Sequence, residues 1–404
     1  GAAVSLPSAS HLSTGLGLDS EVVWRVPTPQ ALARFPGEAL PRQLSRLLPV
    51  ASMLVVWFVF VDDLRRSDLM VFLRAGHDVA SGLNPYTVHT DAFLWGGSAY
   101  VYPYLTAFFF VPLTYLPVPA ADILWFALSG LALYGGARTL GIKDPIAVSA
   151  LILCASTVRS FQVGALNTLL FLVVALMWRH RDRMWVVAGC FTMLVGTKLF
   201  LAPFVLWLLL TRPRRTWLAA LGGAAAFLLL GFALGPITIS EYLAETKALA
   251  VHEGLQGMSL ARLLHGLWPG PAETIVPVAV AAAVLALAVH RSGGLRRGLL
   301  APRPVALESD QLLFCTSLVI ALVLTPIFWS HYIVLALLIP LILWPTRRTT
   351  LILLALSWAL SRPDKTLYVL YMPGAVRQVF LFGLLVVSVG VASYSKAGSS
   401  PPRG

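Results

Sequence analysis

Charge is what this sequence has least of. Only 12% of its 404 residues are Asp, Glu, Lys or Arg, against roughly 25% in soluble domains. That shortage excludes a water-covered globular surface over most of the chain. Cysteine is scarce too. Cys154, Cys190 and Cys315 each lie inside an apolar run, which speaks against a disulfide framework and for small core residues. There is no Walker A sequence, no G-x-G-x-x-G opening a strand and helix, no H-E-x-x-H and no Cys/His zinc spacing. No nucleotide, metal or other cofactor is expected. Residues 1–40 lack the basic and apolar regions of a signal peptide. There is no internal repeat, nor the two matched broken helices of many secondary transporters.

What is present in abundance is apolar. The hydrophobic share is 58%, in recurring runs of about 14–22 residues separated by basic or proline-containing breaks. An all-α, polytopic integral membrane protein follows, because a helix satisfies its own backbone in lipid. Apolar segments fall at 47–62, 101–117, 120–137, 145–158, 164–178, 184–201, 202–211, 216–235, 273–290, 309–328, 331–345, 349–361 and 377–394. The net charge of +12 sits mostly in loops between these runs, as the positive-inside rule predicts, so no nucleic-acid partner is implied.

Arginine placement gives a topology. Arg42 and Arg46 put the N-terminus inside. The breaks Arg179–Arg183, Arg212–Arg215, His290–Arg297 and Arg347–Arg348 read as cytoplasmic, as do Arg138 and Lys143. The loops 62–100, 236–272, 328–331 and 362–376 then face outward. With both termini inside, the number of spans is even, so one of the apolar segments does not cross. The 101–117 segment, broken by Pro103, Pro112 and Pro117, is the one expected to be half-inserted. About twelve spans are expected. Residues 1–45 are expected to be a disordered cytoplasmic tail rich in Ser, Pro, Ala and Gly. Residues 46–395 form the membrane domain, and 396–404 a second cytoplasmic tail.

The first outward loop carries D-D-L-R-R-S-D-L-M-V-F-L-R-A-G-H-D from Asp62 to Asp78. From Ser67, a plausible N-cap, it reads as a short helix lying along the membrane surface. Leu69, Phe72, Leu73, Gly76 and Val79 share one face and Gly82 is a stop. Asp68 in its first turn is either a carboxylate favouring the helix dipole or a general base on an acceptor hydroxyl. Asp62, Asp63 and Asp68 form an acidic group, but the interleaved Arg65 and Arg66 argue against a divalent ion.

Three further places carry chemistry. Lys198 is embedded in V-G-T-K-L-F-L-A-P with no carboxylate nearby in sequence. It is either a snorkelling lysine or an anion-binding one. His331 stands beside Trp329 and Ser330 in a very short outward turn, either a hydrogen-bonded core histidine or part of a site. Arg159, Gln162 and Asn167 lie between two apolar runs, as ordinary loop polarity or as partners for a phosphate or sugar hydroxyl. The remaining outward charges, Lys247, Glu253 and Arg262 among them, read as solvated loop residues.

These residues fall in a familiar order. S-D-L-M-V-F, G-L-N-P-Y, Y-P-Y, G-A-L-N, K-L-F-L-A-P and F-W-S-H carry Asp68, Gly82, Tyr86, Tyr102, Pro103, Gly164, Asn167, Lys198, Pro203, Trp329 and His331. Over roughly residues 45–395 the chain resembles the bacterial integral-membrane mannosyltransferases of the GT-C class that use polyprenyl-phosphate mannose. Phe72, Tyr104 and Ala165 depart from the family's tyrosine, proline and glutamine, which leaves the sugar and acceptor open.

The resemblance implies an inverting glycosyltransferase. The donor would be a polyprenyl-phosphate sugar, mannose first. The acceptor would be a glycolipid or cell-wall glycan on the outer face of the plasma membrane. Asp68 would be the base, and Lys198, His331, Arg159 and Arg262 would hold the donor phosphate. Tyr86, Tyr102, Asn167, Trp329 and His77 would bind sugar or acceptor. Membrane lipid is the other expected partner, and a monomer is the expected state. Two alternatives stay open: an arabinofuranosyltransferase using the equivalent lipid donor, and a lipid-linked-sugar flippase. The uncharged centres of most spans disfavour the flippase.

Overall fold

The computed structural model describes residues 42–61, 66–86, 99–254, 257–292, 306–361, 363 and 374–394. The chain divides into two units, 1–44 and 45–404. Most of the expected N-terminal tail, the 396–404 tail, Asp62, Asp63 and Arg65 lie outside the described residues. Arg42–Ser45, expected as tail, form a helical turn. Among the described residues every regular element is a helix.

Four helices are long and apolar enough to cross a membrane: Val118–Thr139, Arg214–Leu234, Ala272–Arg291 and Leu307–Leu324. At 1.5 Å per residue the longest runs about 33 Å and the shortest about 27 Å, close to the hydrocarbon thickness. A fifth span arises if Pro145–Leu153 and Ala155–Val163, bent by 59° at Cys154, count as one. The other apolar helices are 10–17 residues long, so helix length does not by itself carry a count of about twelve. Sequence breaks explain the short pieces. Pro103 precedes the Tyr104–Phe110 turns, Pro112 sits in the next short helix and Pro117 ends the stretch. Lys198 divides Met184–Thr197 from Leu199–Thr211, a few residues before the boundary expected at 201/202.

Burial separates a centre from a rim. In Leu307–Leu324, 72% of the apolar window is buried, against 17% in Arg214–Leu234 and 22% in Ala272–Arg291. The rim helices turn Leu229, Leu230, Leu234, Ile275 and Val278 outward. An apolar outer surface on a helical bundle is what a lipid environment selects, so this is a membrane protein. The three cysteines are free.

The helix expected in the first loop forms as Ser67–Ala80, and Leu69, Phe72, Leu73, Gly76 and Val79 are all buried. Ser67 is its first helical residue rather than its cap. Arg66 precedes it with φ −82° and ψ 88°, its buried side chain held by an ion pair with the half-buried Asp122 at 3.0 Å and by stacking over Trp57. Two glycines set this helix. A Cβ on Gly76 would come within 3.0–3.1 Å of Phe110, Val111 and Thr114, so the helix lies directly on the Tyr104–Thr114 segment. Gly164 has φ +70°, and a Cβ there would come 2.7 Å from the Leu69 Cβ. The end of Ala155–Val163 is therefore pressed against the first turn of Ser67–Ala80. The Trp125 indole N–H donates to the Gly164 carbonyl at 2.9 Å and fixes the corner.

Candidate functional site

A cavity of about 850 Å³ opens where the first turn of Ser67–Ala80 meets four other segments: Val101–Pro103, Arg159 and Val163 of Ala155–Val163, Thr197–Phe200, and Leu324–Tyr332. The Ile239–Gly254 helix closes another side through Tyr242, Leu243, Thr246, Lys247, Leu249, Ala250 and Glu253. Segments far apart in the chain thus contribute charge to one space.

Asp68 keeps 24% of its side-chain surface open to this cavity. Its Oδ2 lies 3.9 Å from His331 Nε2, and Ser67 Oγ donates to Oδ1 at 3.4 Å. Burial raises the Asp68 carboxyl above the usual carboxylate range. The Lys198 ammonium, the Ser67 hydroxyl and the Arg159 guanidinium pull the other way.

Lys198 is 5% exposed, far below what solvent would hold. The Met184–Thr197 helix ends at this residue, whose backbone turns extended with φ −141° and ψ 95°. That turn sends the amine inward. Nζ donates to the Tyr332 hydroxyl at 2.9 Å and stands 4.0 Å and 5.6 Å from the Tyr332 and Tyr102 ring centroids. An amine set over aromatic faces with the Tyr332 hydroxyl as a hydrogen-bond partner is suited to receive an anion from outside.

His331 is buried, and Asn167 Nδ2 donates to its backbone carbonyl at 3.0 Å. Arg159 reaches the cavity from a helix rather than the expected loop, because the bend at Cys154 redirects the chain. Its Nη1 donates to Gln162 Oε1 at 3.4 Å, and Gln162 Nε2 donates to the Phe60 carbonyl at 2.9 Å.

The residues singled out in the sequence divide cleanly by place. Asp68, Lys198, His331, Arg159, Tyr102 and Trp329 line the cavity. Asn167 and Tyr86 support it from behind. The Tyr86 hydroxyl donates to the Tyr102 carbonyl at 2.7 Å, and its ring packs against Tyr100 and Tyr242. Arg262 and His77 are elsewhere. Arg262 is in the first turn of Leu260–Leu267, whose Ser259 cap takes its backbone N–H. His77 is 66% exposed near the other end of its helix, 3.8 Å from Asp78. Among the described residues no three His, Cys, Asp or Glu side chains gather as a metal site would need.

Two lining groups escape a reading of the sequence. Tyr332 is the partner of Lys198. Glu253 faces the cavity near Trp329; burial first and the Asp68 charge second push its carboxyl up to about 7. A signal for Glu253 exists. Tyr242, Thr246, Leu249 and Glu253 recur at helical spacing, which puts them on one face.

Comparison with known proteins bears on this arrangement. The family model for glycosyltransferase family 87 matches residues 100–328, a stretch that includes Arg159, Lys198 and Glu253. Over 379 residues the chain is 27% identical to the polyprenol-phosphate-mannose-dependent alpha-(1-2)-phosphatidylinositol mannoside mannosyltransferase of Mycobacterium tuberculosis (strain ATCC 25618 / H37Rv), covering 83% of each chain. That alignment carries the likeness well beyond the matched core. No solved structure matches. Since the family model takes in more than half of the sequence, this chain belongs to glycosyltransferase family 87 and is a glycosyltransferase.

Proposed function

We propose that the protein moves mannose from a polyprenyl-phosphate donor to a hydroxyl of a glycolipid, on the outer face of the plasma membrane and with inversion at the anomeric carbon. The observation that carries this reading is one cavity holding a carboxylate, Asp68, together with a buried ammonium, Lys198. The mycobacterial relative, whose name specifies a polyprenol-phosphate-mannose donor and a phosphatidylinositol mannoside, supports the choice of donor and acceptor class.

The chemistry follows from the charges. The acceptor oxygen attacks C1 as its proton passes to Asp68. The C1–O bond to phosphate breaks, and its electron pair stays on the phosphate oxygen. Charge on that oxygen rises in the transition state, and Lys198 with Arg159 supplies a fixed counter-charge in a largely water-excluded setting. His331, within 3.9 Å of Asp68, helps orient the base. The raised Asp68 pKa supports this role, because a base whose pKa lies closer to working pH holds the accepted proton more firmly. Tyr102 and Trp329 offer ring faces to the transferred sugar or to the acceptor. The Ser67–Ala80 helix would lie along the membrane surface, so that a lipid-linked donor reaches Asp68 from the bilayer.

The test is transfer by the purified protein in nanodiscs. Polyprenyl-phosphate mannose, polyprenyl-phosphate arabinofuranose and GDP-mannose are offered separately, with a phosphatidylinositol mannoside extract as acceptor. Label moving from the first donor alone is the expected result. Transfer from the second donor would correct the sugar, and transfer from the nucleotide sugar alone would overturn the lipid-donor reading.

A further inference from the structure

The cavity gathers cations and carboxylates together, and only the cations are needed to hold a phosphate. Lys198 and Arg159 supply those cations. Glu253 is a second carboxylate beside Asp68, and the transfer chemistry leaves it without a task. Its placement is firmly built. Gly254 lies against Pro326 and Gly257 against Phe328, with distances to a built Cβ of 3.3 and 3.1 Å to their carbonyl oxygens. The Met258 N–H donates to the Phe328 carbonyl at 2.6 Å. These contacts clamp the end of Ile239–Gly254 onto the segment before His331. Glu253 and Trp329 are left next to each other at the cavity wall. Both side chains are half-buried, with surface still open.

A carboxylate beside an aromatic ring is a pair suited to a sugar. The carboxylate accepts hydrogen bonds from two hydroxyls, and these charge-assisted bonds are stronger than neutral ones. The ring face covers the apolar C–H side of the pyranose. A second carboxylate would repel the donor phosphate, so its place is with an uncharged partner. We infer that Glu253 and Trp329 form the subsite that seats the acceptor's sugar ring and presents its hydroxyl to Asp68. Asp68 and Glu253 line the same cavity, which supports this, and the Asp68 charge raises the Glu253 carboxyl. Lys247 lines the same cavity from an exposed position six residues earlier on the helix, where the rest of an acceptor headgroup would pass.

This inference rests on the glycosyl-transfer reading but is tested apart from turnover. Binding of octyl α-D-mannopyranoside, a neutral glycolipid, and of farnesyl phosphate, an anionic lipid, is measured on wild-type protein and Glu253→Gln in nanodiscs. The expected result is a tenfold or greater loss of mannoside affinity in Glu253→Gln, with farnesyl phosphate binding unchanged within twofold. Retained phosphate binding shows that the variant is folded. Mannoside affinity unchanged within twofold, an equal loss for both ligands, or no mannoside binding by wild type would each overturn the subsite. Failure of the donor assignment would look different: no label transfer by wild type, with both lipid affinities intact.

Discussion

Lys198 acts on two partners, the donor phosphate it would hold and the carboxylate it faces. Its ammonium lowers the Asp68 pKa, while burial raises it further. Asp68 must be ionised to take a proton, so turnover should rise with pH through an acid limb above the ordinary carboxylate value of about 3.9. Removing the ammonium removes the lowering influence. In Lys198→Met the acid limb of kcat, measured at saturating donor, should move to higher pH. A limb that stays put, or moves lower, would mean that Lys198 does not sense Asp68. Lys198→Ala should also weaken use of the donor far more than use of the acceptor. A lost charge-assisted hydrogen bond of about 1.5–3 kcal/mol corresponds to roughly 10- to 150-fold in the donor's kcat/KM.

At the scale of elements, the site depends on how Ser67–Ala80 is pinned. Gly164 is the tightest point, with φ +70° and room for no Cβ against Leu69. Gly164→Ala combines a left-handed backbone with overpacking, and should cost about 2–4 kcal/mol of stability. A lowered thermal midpoint in nanodiscs, with activity lost in step, checks it. An unchanged midpoint would mean that this corner yields easily.

Much of this helix was legible beforehand. Its buried face follows from apolar spacing, and its end follows from Gly82, which takes φ +70°. Its start was misplaced by a residue because the cause, the Arg66–Asp122 pair, joins residues far apart in the chain. Glu253 was passed over for a similar reason. Ile239–Gly254 mixes Glu, Lys and Thr with apolar residues and resembles any solvated loop helix. Only the fold brings Trp329 to it. The bend at Cys154, which moves Arg159 from loop to helix, has no proline or glycine to announce it.

At the scale of the whole molecule, two charged clusters among the described residues lie toward opposite ends of Leu307–Leu324. Leu307–Leu324 measures the separation. Thr325, just past its C-terminus, lines the cavity. Asp310 near its N-terminus lies about 21 Å from Leu324, the last helical residue, at 1.5 Å per residue. Asp310 is buried and pairs with Arg181 at 3.2 Å and with Arg212, and it accepts from the Trp207 indole at 2.7 Å. Arg212 also meets Asp182 at 3.0 Å, and Arg347 meets Asp144 at 3.4 Å. Both arginine loops that clasp Asp310 read as cytoplasmic in the sequence, as does the loop pair joined by Arg347 and Asp144. The loops read as outward supply about half of the cavity lining, and the ends of apolar segments supply the rest. The grouping of the arginine-bearing breaks with one another was legible from the arginines alone. The number of spans was not, because prolines and Lys198 cut apolar runs into helices too short to count by length. Asp310→Ala leaves two arginines without their buried partner and should cost about 3–5 kcal/mol of stability. Lipid-donor affinity in the surviving folded protein should be unchanged, and a selective loss of that affinity would tie the cluster to the site.

The central claim is that Asp68 is the base of a sugar transfer from a lipid phosphate. Its most direct test is the single-turnover rate of label transfer from polyprenyl-phosphate mannose to a phosphatidylinositol mannoside acceptor, compared between wild type and Asp68→Asn at matched thermal stability. The account predicts a fall of about 100-fold or more in Asp68→Asn, with the donor still bound. Transfer by Asp68→Asn at near wild-type rate would contradict it.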